Sequence, residues 1–370
     1  MKKILFFIPN LMHGGAEKVL VNLVNNLDRD KYDITLQTIF DVGINKQYLK
    51  EDINYKYVFK RLFRGSTTIF KWFSPEFLYK HLIKAEYDIV ISYLEGPTAR
   101  IISGCPNDSK KISWIHIEMN DEQKFTLGFR SSNEARKCYS KFDEIVCVSD
   151  TVKQIFLETS KLNESKVEVL YNTNETDQIL EKSKDAVVDI AFDKDTVNIC
   201  SVGKITGTKG YDRLARVHKR LIEEGLNHHI YILGIGEDED KINKYIKENN
   251  LQDTYTLLGF RDNPYKYVAK CDLFVCSSLR EGFSTAVTES LVVGTPVVST
   301  LCSGAQELLG YNNEYGLVVE NSEEGIYEGI KKLLENREWL AYYKEKAIER
   351  GSFFSKEKTV KAVEDMIDSL

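Results

Sequence analysis

Two glutamates eight positions apart, Glu281 and Glu289, stand in the stretch REGFSTAVTESLVVGTPVV (280–298), whose other residues are mostly small or apolar. A carboxylate in such company needs water or a polar partner, because burying it unpaired is expensive. An ionised carboxylate accepts two hydrogen bonds, which suits the diol of a sugar. Upstream, VNICSVGKITGTKGYDRLARVHKRL carries Lys204 and Lys209 in a glycine-punctuated loop before a helical pattern. Two lysines there can neutralise a diphosphate, although the G-x-x-x-x-G-K-[ST] order of a Walker loop is absent. Near the start, Gly14 and Gly15 open a second helical pattern, HGGAEKVLVNLVNNL. Paired glycines let a ligand approach the backbone, where unpaired helix N–H groups suit an anion. Each feature also has a plainer explanation: a solvated loop charge for Glu281, a lysine partner for Glu289, solvated lysines, and a tight strand-to-helix turn at the glycines.

These residues depend on the elements that carry them. Short runs rich in Val and Ile predict strands at 2–8, 33–40, 88–93, 110–116, 143–148 and 166–171, then at 197–203, 228–234, 253–258, 271–277, 295–300 and 315–319. Strands apolar on both faces and alternating with helices predict parallel sheets covered on both sides. The fold class is therefore α/β, as two doubly wound parallel-sheet (Rossmann-like) domains facing a cleft. In such sheets ligands sit beyond the carboxyl ends of the strands. The polar stretch NETDQILEKSKDAVVDIAFDKD (174–195) marks the division. The expected organisation is an N-terminal domain over 1–178, a linker over 179–196, a second Rossmann-like domain over 197–350, and a C-terminal helix over 351–370 packing back on the first domain. Within the second domain the spacing predicts a helix from Thr285 to Val293 with Ser284 as N-cap. Glu281 then lies in the loop before that helix, and Glu289 about one turn inside it.

Composition narrows the function. The 370 residues are 42% hydrophobic and 29% charged with no low-complexity tract, which predicts a folded protein, and the net charge of -6 gives no reason to expect nucleic acid as a partner. Seven cysteines without a CxxC pair are expected to be reduced, as in cytoplasm. MKKILFFIPNLMHGG imitates a signal peptide, but Pro9 and Asn10 interrupt the apolar run, and no stretch is long enough to span a membrane. The six histidines (13, 81, 116, 218, 228, 229) show no zinc spacing, and DRD (28–30) and DKD (193–195) read as solvated charges at a helix end and in the linker. No metal and no cofactor is expected.

Taken together, EGFSTAVTE with GTPVVST behind it, SVGKITGTKG ahead of it, LLGFRDN between them and GGAEKVL near the start resemble a retaining glycosyltransferase of the GT-B fold, family 4. The likeness covers nearly the whole chain and is strongest from Val197 to about Val319. Enzymes of this kind assemble bacterial capsule, exopolysaccharide and lipopolysaccharide. The resemblance implies that Glu289 holds the nucleotide ribose and that Glu281 touches the donor sugar hydroxyls. It implies that Gly282, Phe283 and Ser284 offer backbone to sugar and diphosphate, and that Lys204 and Lys209 hold the diphosphate, with Gly14 and Gly15 approaching it from the other domain. Phe260 and Arg261 fall where the base is read, and His116, closing ISWIH, matches a histidine beside the donor sugar. Where the family often has arginine this chain has Lys204, which keeps the charge but loses the planar two-pronged grip. The resemblance further implies retention by same-face attack, the leaving phosphate helping to take the acceptor proton, without a carboxylate nucleophile.

The expected donor is a nucleotide sugar, a UDP-sugar foremost, and the expected acceptor a lipid-linked saccharide. From Lys56 to Lys84 seven Lys/Arg stand against one Glu, with aromatic residues interleaved. Such a stretch suits a peripheral membrane face at the inner side of the plasma membrane, or else a helical pair with aromatics inward and cations outward. Two other functions share the fold: a sugar-nucleotide epimerase, which needs no acceptor, and a non-catalytic partner of another transferase.

Overall fold

A run such as KKILFFI, apolar at successive positions, can only be satisfied as a strand buried on both faces, and it forms β1 (Lys2–Ile8), whose last five residues are all buried. The computed structural model describes residues 1–12, 14–106 and 108–370, so His13 lies outside the described residues. The chain divides into two compact units, Met1–Asn174 with Glu357–Leu370, and Glu175–Lys356.

In the first unit, β1 is followed by β2 (Tyr32–Phe40), β3 (Asn54–Phe59), β4 (Ile89–Ser92), β5 (Lys110–Ile115), β6 (Glu144–Cys147) and β7 (Val167–Val169). Their order across the sheet is β3-β2-β1-β4-β5-β6-β7, and neighbours are parallel. β1 therefore sits beside both β2 and β4, and the strand order reverses between β1 and β4. The helix Lys356–Ser369 ties to this sheet: Lys2 Nζ donates to Ile367 O (3.0 Å) and Tyr32 Oη to Asp368 Oδ1 (2.8 Å).

The second unit repeats the plan with β8 (Val197–Val202), β9 (His228–Leu233), β10 (Tyr255–Gly259), β11 (Leu273–Cys276), β12 (Val297–Thr300) and β13 (Leu317–Val319), ordered β10-β9-β8-β11-β12-β13. All five pairings are parallel. Its core joins Ile199, Ile230, Ile232, Leu273 and Val275 of the sheet to Leu214, Val217 and Leu221 of the helix Tyr211–Glu223.

Two elements depart from the sequence reading. β3 lies in a segment read without a strand; it is an edge strand with no fully buried residue, so its apolar signal is weak. Residues 56–84 thus form most of a strand and two short helices, Ser66–Phe70 and Pro75–Leu82, rather than a helical pair. Within the stretch read as a linker, Thr176–Ser183 is helical and belongs to the second unit, because Ile179 buries itself against Tyr265 and Val292.

Candidate active site

In the second unit the strand order reverses between β8 and β11, so the loops leaving these two strands meet at the place where doubly wound sheets bind ligands. The loop after β8 carries Lys209, and the loop after β11 carries Glu281; Lys209 Nζ lies 2.6 Å from Glu281 Oε1. Ser278 Oγ donates to the same oxygen at 2.5 Å. Burial by itself would lower the Lys209 pKa, but the Glu281 charge outweighs it and holds the ammonium above its ordinary value. Lys204, in the same loop, is exposed.

Local backbone dictates this meeting. Gly210, at φ +66°, turns the loop into the helix Tyr211–Glu223, and a Cβ there would sit 2.2 Å from Ser277 O. Only glycine fits both the left-handed conformation and the close approach. From that helix the buried Arg213 donates to Ser277 O (2.9 and 2.6 Å), Ser278 O (2.9 Å) and Asn321 Oδ1 (2.7 Å). Ser277 Oγ donates back to Lys209 O at 2.9 Å. The guanidinium thus fixes the backbone that presents Glu281. Sequence reading missed Arg213, Ser278 and Asn321; Arg213 lies in the polar-looking run YDRLARVHKR, and nothing local marks it as buried.

The helix Thr285–Val292 starts as expected, with Ser284 Oγ accepting from Val287 N at 3.4 Å. Its first N–H groups have no partner within the helix and suit an anion. Glu289 is 7% exposed, and Tyr265 Oη lies 3.5 Å from its Oε1. A Cβ on Gly351 would lie 2.6 Å from Leu291 O, so the helix Arg337–Phe353 seats backbone against backbone on this element. Phe283 is buried against Phe354, ring centroids 5.7 Å apart. At the end of β10, Phe260 is exposed, whereas the Arg261 guanidinium is engaged by Asp189 at 3.1 Å and Tyr267 Oη at 3.2 Å.

In the first unit the carboxyl ends of β1, β4 and β5 hold a different chemistry. Gly14 caps the helix Gly15–Asn26, and a Cβ on it would fall 1.8 Å from Glu17 Oε2, whereas one on Gly15 would meet nothing within 4 Å. Glu95, after β4, accepts from His116 N at 2.9 Å. Burial raises the pKa of both Glu17 and Glu95, and at Glu95 the Glu17 charge adds to the effect. His116 is pushed down to about 3 by burial, against a hydrogen bond to the Tyr93 backbone. Its Nε2 is buried without a hydrogen-bond partner among the described residues. A neutral imidazole so held offers a lone pair to a hydroxyl. Glu17 and Glu95 were not singled out in the sequence: Glu17 stands within GGAEKVL, where the glycines drew the reading, and Glu95 stands in no distinctive motif.

Among the described residues no cluster of three His, Cys, Asp or Glu side chains could hold a metal ion. The two aspartate pairs shape turns instead: Asp28 Oδ1 accepts from Asp30 N (2.8 Å), and Asp193 Oδ1 from Asp195 N (2.9 Å).

Residues 183–350 match the family described as "Glycosyl transferases group 1", and residues 13–178 match "Glycosyltransferase Family 4". The chain is 32% identical, over 97% of both sequences, to N-acetylgalactosamine-N,N'-diacetylbacillosaminyl-diphospho-undecaprenol 4-alpha-N-acetylgalactosaminyltransferase of Campylobacter jejuni. It is 27% identical to the lipopolysaccharide 1,6-galactosyltransferase of Escherichia coli, over 60% of this chain and 56% of that one. Among solved structures, Anabaena HepE in complex with UDP-glucose superposes with a TM-score of 0.76, covering both chains completely at 16% identity. At that identity the likeness establishes the two-domain GT-B fold.

Proposed function

Because this chain belongs to glycosyltransferase family 4, with the GT-B fold, we propose that it is a retaining enzyme moving a sugar from a UDP-sugar to a lipid-linked saccharide in cell-surface polysaccharide assembly. The Lys209–Glu281 pair at the strand-order reversal of the second unit carries the proposal. It places a cation for a leaving phosphate beside a carboxylate for sugar hydroxyls. The neighbouring helix, capped by Ser284, adds N–H donors and carries Glu289.

In the reaction the bond between the anomeric carbon and the diphosphate oxygen breaks, leaving negative charge on the phosphate and positive character on the sugar. Lys209, Lys204 and the helix N–H groups oppose the first charge, and such preorganised donors lower the barrier where charge develops. An acceptor hydroxyl oxygen bonds the anomeric carbon from the face the phosphate leaves, and its proton passes to the phosphate. Glu289 holds the ribose, Glu281 the sugar hydroxyls, and the backbone of Gly282, Phe283 and Ser284 the sugar and diphosphate. Phe260 stacks on the base, with Arg261 holding the loop beneath it through Asp189. In the first unit Gly14 and Gly15 serve the diphosphate, and His116 Nε2 accepts from a donor-sugar hydroxyl. These positive groups supply the neutralisation, so the scheme needs no metal.

The lipid-linked acceptor is supported by the C. jejuni relative, whose name specifies a diphospho-undecaprenol acceptor. No helix among the described residues is long and apolar enough to cross a membrane. A lipid-linked acceptor of this kind is the ground on which we place the enzyme at the cytoplasmic face of the plasma membrane. The test is a panel of nucleotide sugars and nucleoside diphosphates screened by thermal shift, followed by transfer to an undecaprenyl-diphosphate saccharide and determination of the product anomer. A UDP-sugar that raises the melting temperature and yields a retained anomer is expected. No shift from any nucleotide would overturn the reading.

A further inference from the structure

The turn around Trp72 is built unlike an ordinary surface loop. Trp72 is 74% exposed, and Phe73, Phe77, Leu62 and Ile69 around it are exposed as well. Beneath them the backbone is held from the inside. Arg100, 1% exposed, donates to Phe70 O (2.9 Å) and Phe73 O (2.6 Å), and is itself fixed by Glu134 at 2.9 Å. Arg130 donates to Phe73 O at 2.9 Å and also to Lys71 O. Three carbonyls of the turn, those of Phe70, Lys71 and Phe73, are thus taken by two arginines, while Trp72 and Phe73 expose their side chains and Phe70 is buried. Phe73 and Phe77 stack at 5.0 Å, and Phe77 stacks on His81 at 3.9 Å.

The segment that carries this apolar tip has charge of nearly one sign. Lys60, Arg61, Arg64, Lys80 and Lys84 are exposed, and the sole acid between residues 56 and 84, Glu76, is 2.8 Å from Lys141. A tryptophan ring settles at the headgroup level of a bilayer, and surrounding cations are attracted to anionic lipid. A rigid tip gives up little conformational freedom on docking, because its backbone is already ordered. A protein partner would have to match several exposed cations in a fixed arrangement, whereas an anionic lipid surface does so without specific geometry.

We propose that the Trp72 turn, with the exposed cations Lys60, Arg61, Arg64 and Lys80 of the flanking segments, docks on an anionic phospholipid surface, inserting Trp72 to headgroup depth. The inference deepens the reading above and rests on it in one respect, that a lipid-linked acceptor resides at such a surface.

The experiment is co-sedimentation of the full chain with phosphatidylglycerol-containing vesicles and with pure phosphatidylcholine vesicles. The wild type is expected to sediment with the anionic vesicles and to be released by salt. Trp72→Ser should weaken that partition about tenfold, and Lys60→Ser/Arg61→Ser/Arg64→Ser should weaken it roughly five-fold per charge at low salt. All of these side chains are exposed, so both variants should keep the wild-type melting temperature and UDP-sugar shift, together with transfer to a short water-soluble acceptor. A wild type that stays in the supernatant with anionic vesicles would overturn the proposal, as would a Trp72→Ser variant that binds them equally well. Failure of every nucleotide to shift the melting temperature bears on the transferase reading alone, since vesicle binding is measured without donor.

Discussion

Replacing Glu281 by Gln is expected to tighten the binding of UDP while it cripples sugar transfer. In the free protein Lys209 is not idle: its ammonium lies 2.6 Å from Glu281 Oε1, with the two side chains 27% and 15% exposed. A phosphate that recruits Lys209 must compete with that carboxylate, and a hydrogen bond to a charged group contributes about 1.5–3 kcal/mol. When the donor carries its sugar, hydroxyls take over the carboxylate, so the exchange is balanced. UDP alone brings no hydroxyls to Glu281 and bears the cost uncompensated. Glutamine keeps the shape and an oxygen for Ser278 but removes the competing charge. Recovery of about half that interaction, ~1.4 kcal/mol, is a tenfold decrease in Kd for UDP. Transfer, by contrast, loses the carboxylate that orients the sugar and should fall roughly 100-fold in kcat. Titration calorimetry with UDP and UDP-sugar, beside initial rates, reads both. In a Lys209→Met background there is no ammonium to release, and Glu281→Gln should then leave UDP affinity unchanged. An unchanged or weaker UDP Kd in a folded Glu281→Gln protein would refute the argument, and so would undiminished turnover.

Two further outcomes are expected. Glu289→Ala should weaken UDP and UDP-sugar alike by about 10- to 100-fold, the loss of charged hydrogen bonds to the ribose, and calorimetry that shows unchanged affinity would remove Glu289 from that role. In the second unit His218 Nδ1 lies 2.7 Å from His228 Nε2, His228 Nδ1 faces Leu226 O, and His218 Nε2 faces Thr254 Oγ1, so two neutral rings satisfy this buried chain without an extra proton. Burial lowers His218 to about 2 and His228 to about 4. Folded-state values below the ordinary one mean that the unfolded chain binds protons first, so stability is full above about pH 6.5 and is lost as pH falls toward 4. Melting temperatures measured across this window should drop for the wild type and drop less for His228→Asn; equal slopes would exclude the pair as the cause.

The sheets were legible because strands buried on both faces must be apolar throughout, as in KKILFFI and the runs around Ile199, Ile230 and Val275. β3 was not, since an edge strand exposing NYKYVF leaves no such run. The helix 176–183 was hidden for a related reason: Ile179 supplies its main buried apolar contact, and one such residue sets no period. At the site, the helix start at Ser284 could be read from capping chemistry alone. The Lys209–Glu281 pair could not, because its members stand 72 positions apart and meet only when β8 and β11 become neighbours. Arg213 illustrates the same limit: the carbonyls it satisfies at 277 and 278 belong to another element, and a helix rich in Arg and Lys presents it as one more surface cation.

The contrast between the two units bears on which part of the reaction each serves. At the strand-order reversal of the second unit the groups are ionic, an ammonium held above its ordinary pKa by a carboxylate. At the corresponding ends of β1, β4 and β5 in the first unit burial works against charge, raising Glu17 and Glu95 and lowering His116. A diphosphate carries charge and calls for cations; a sugar is neutral and calls for hydrogen-bond partners that need not be charged. The neutral His116 ring, with Nε2 buried and unpartnered among the described residues, and the Glu95 carboxyl that holds its backbone fit the second kind of ligand. Glu17 folds over Gly14 at the start of its helix, whereas a Cβ on Gly15 would meet nothing within 4 Å, so Gly15 is the more open of the two. On the proposed reading, the cations that oppose the departing phosphate belong to the second unit, beside the carboxylate that serves the sugar hydroxyls, and the first unit adds hydrogen-bonding groups that burial keeps from carrying charge.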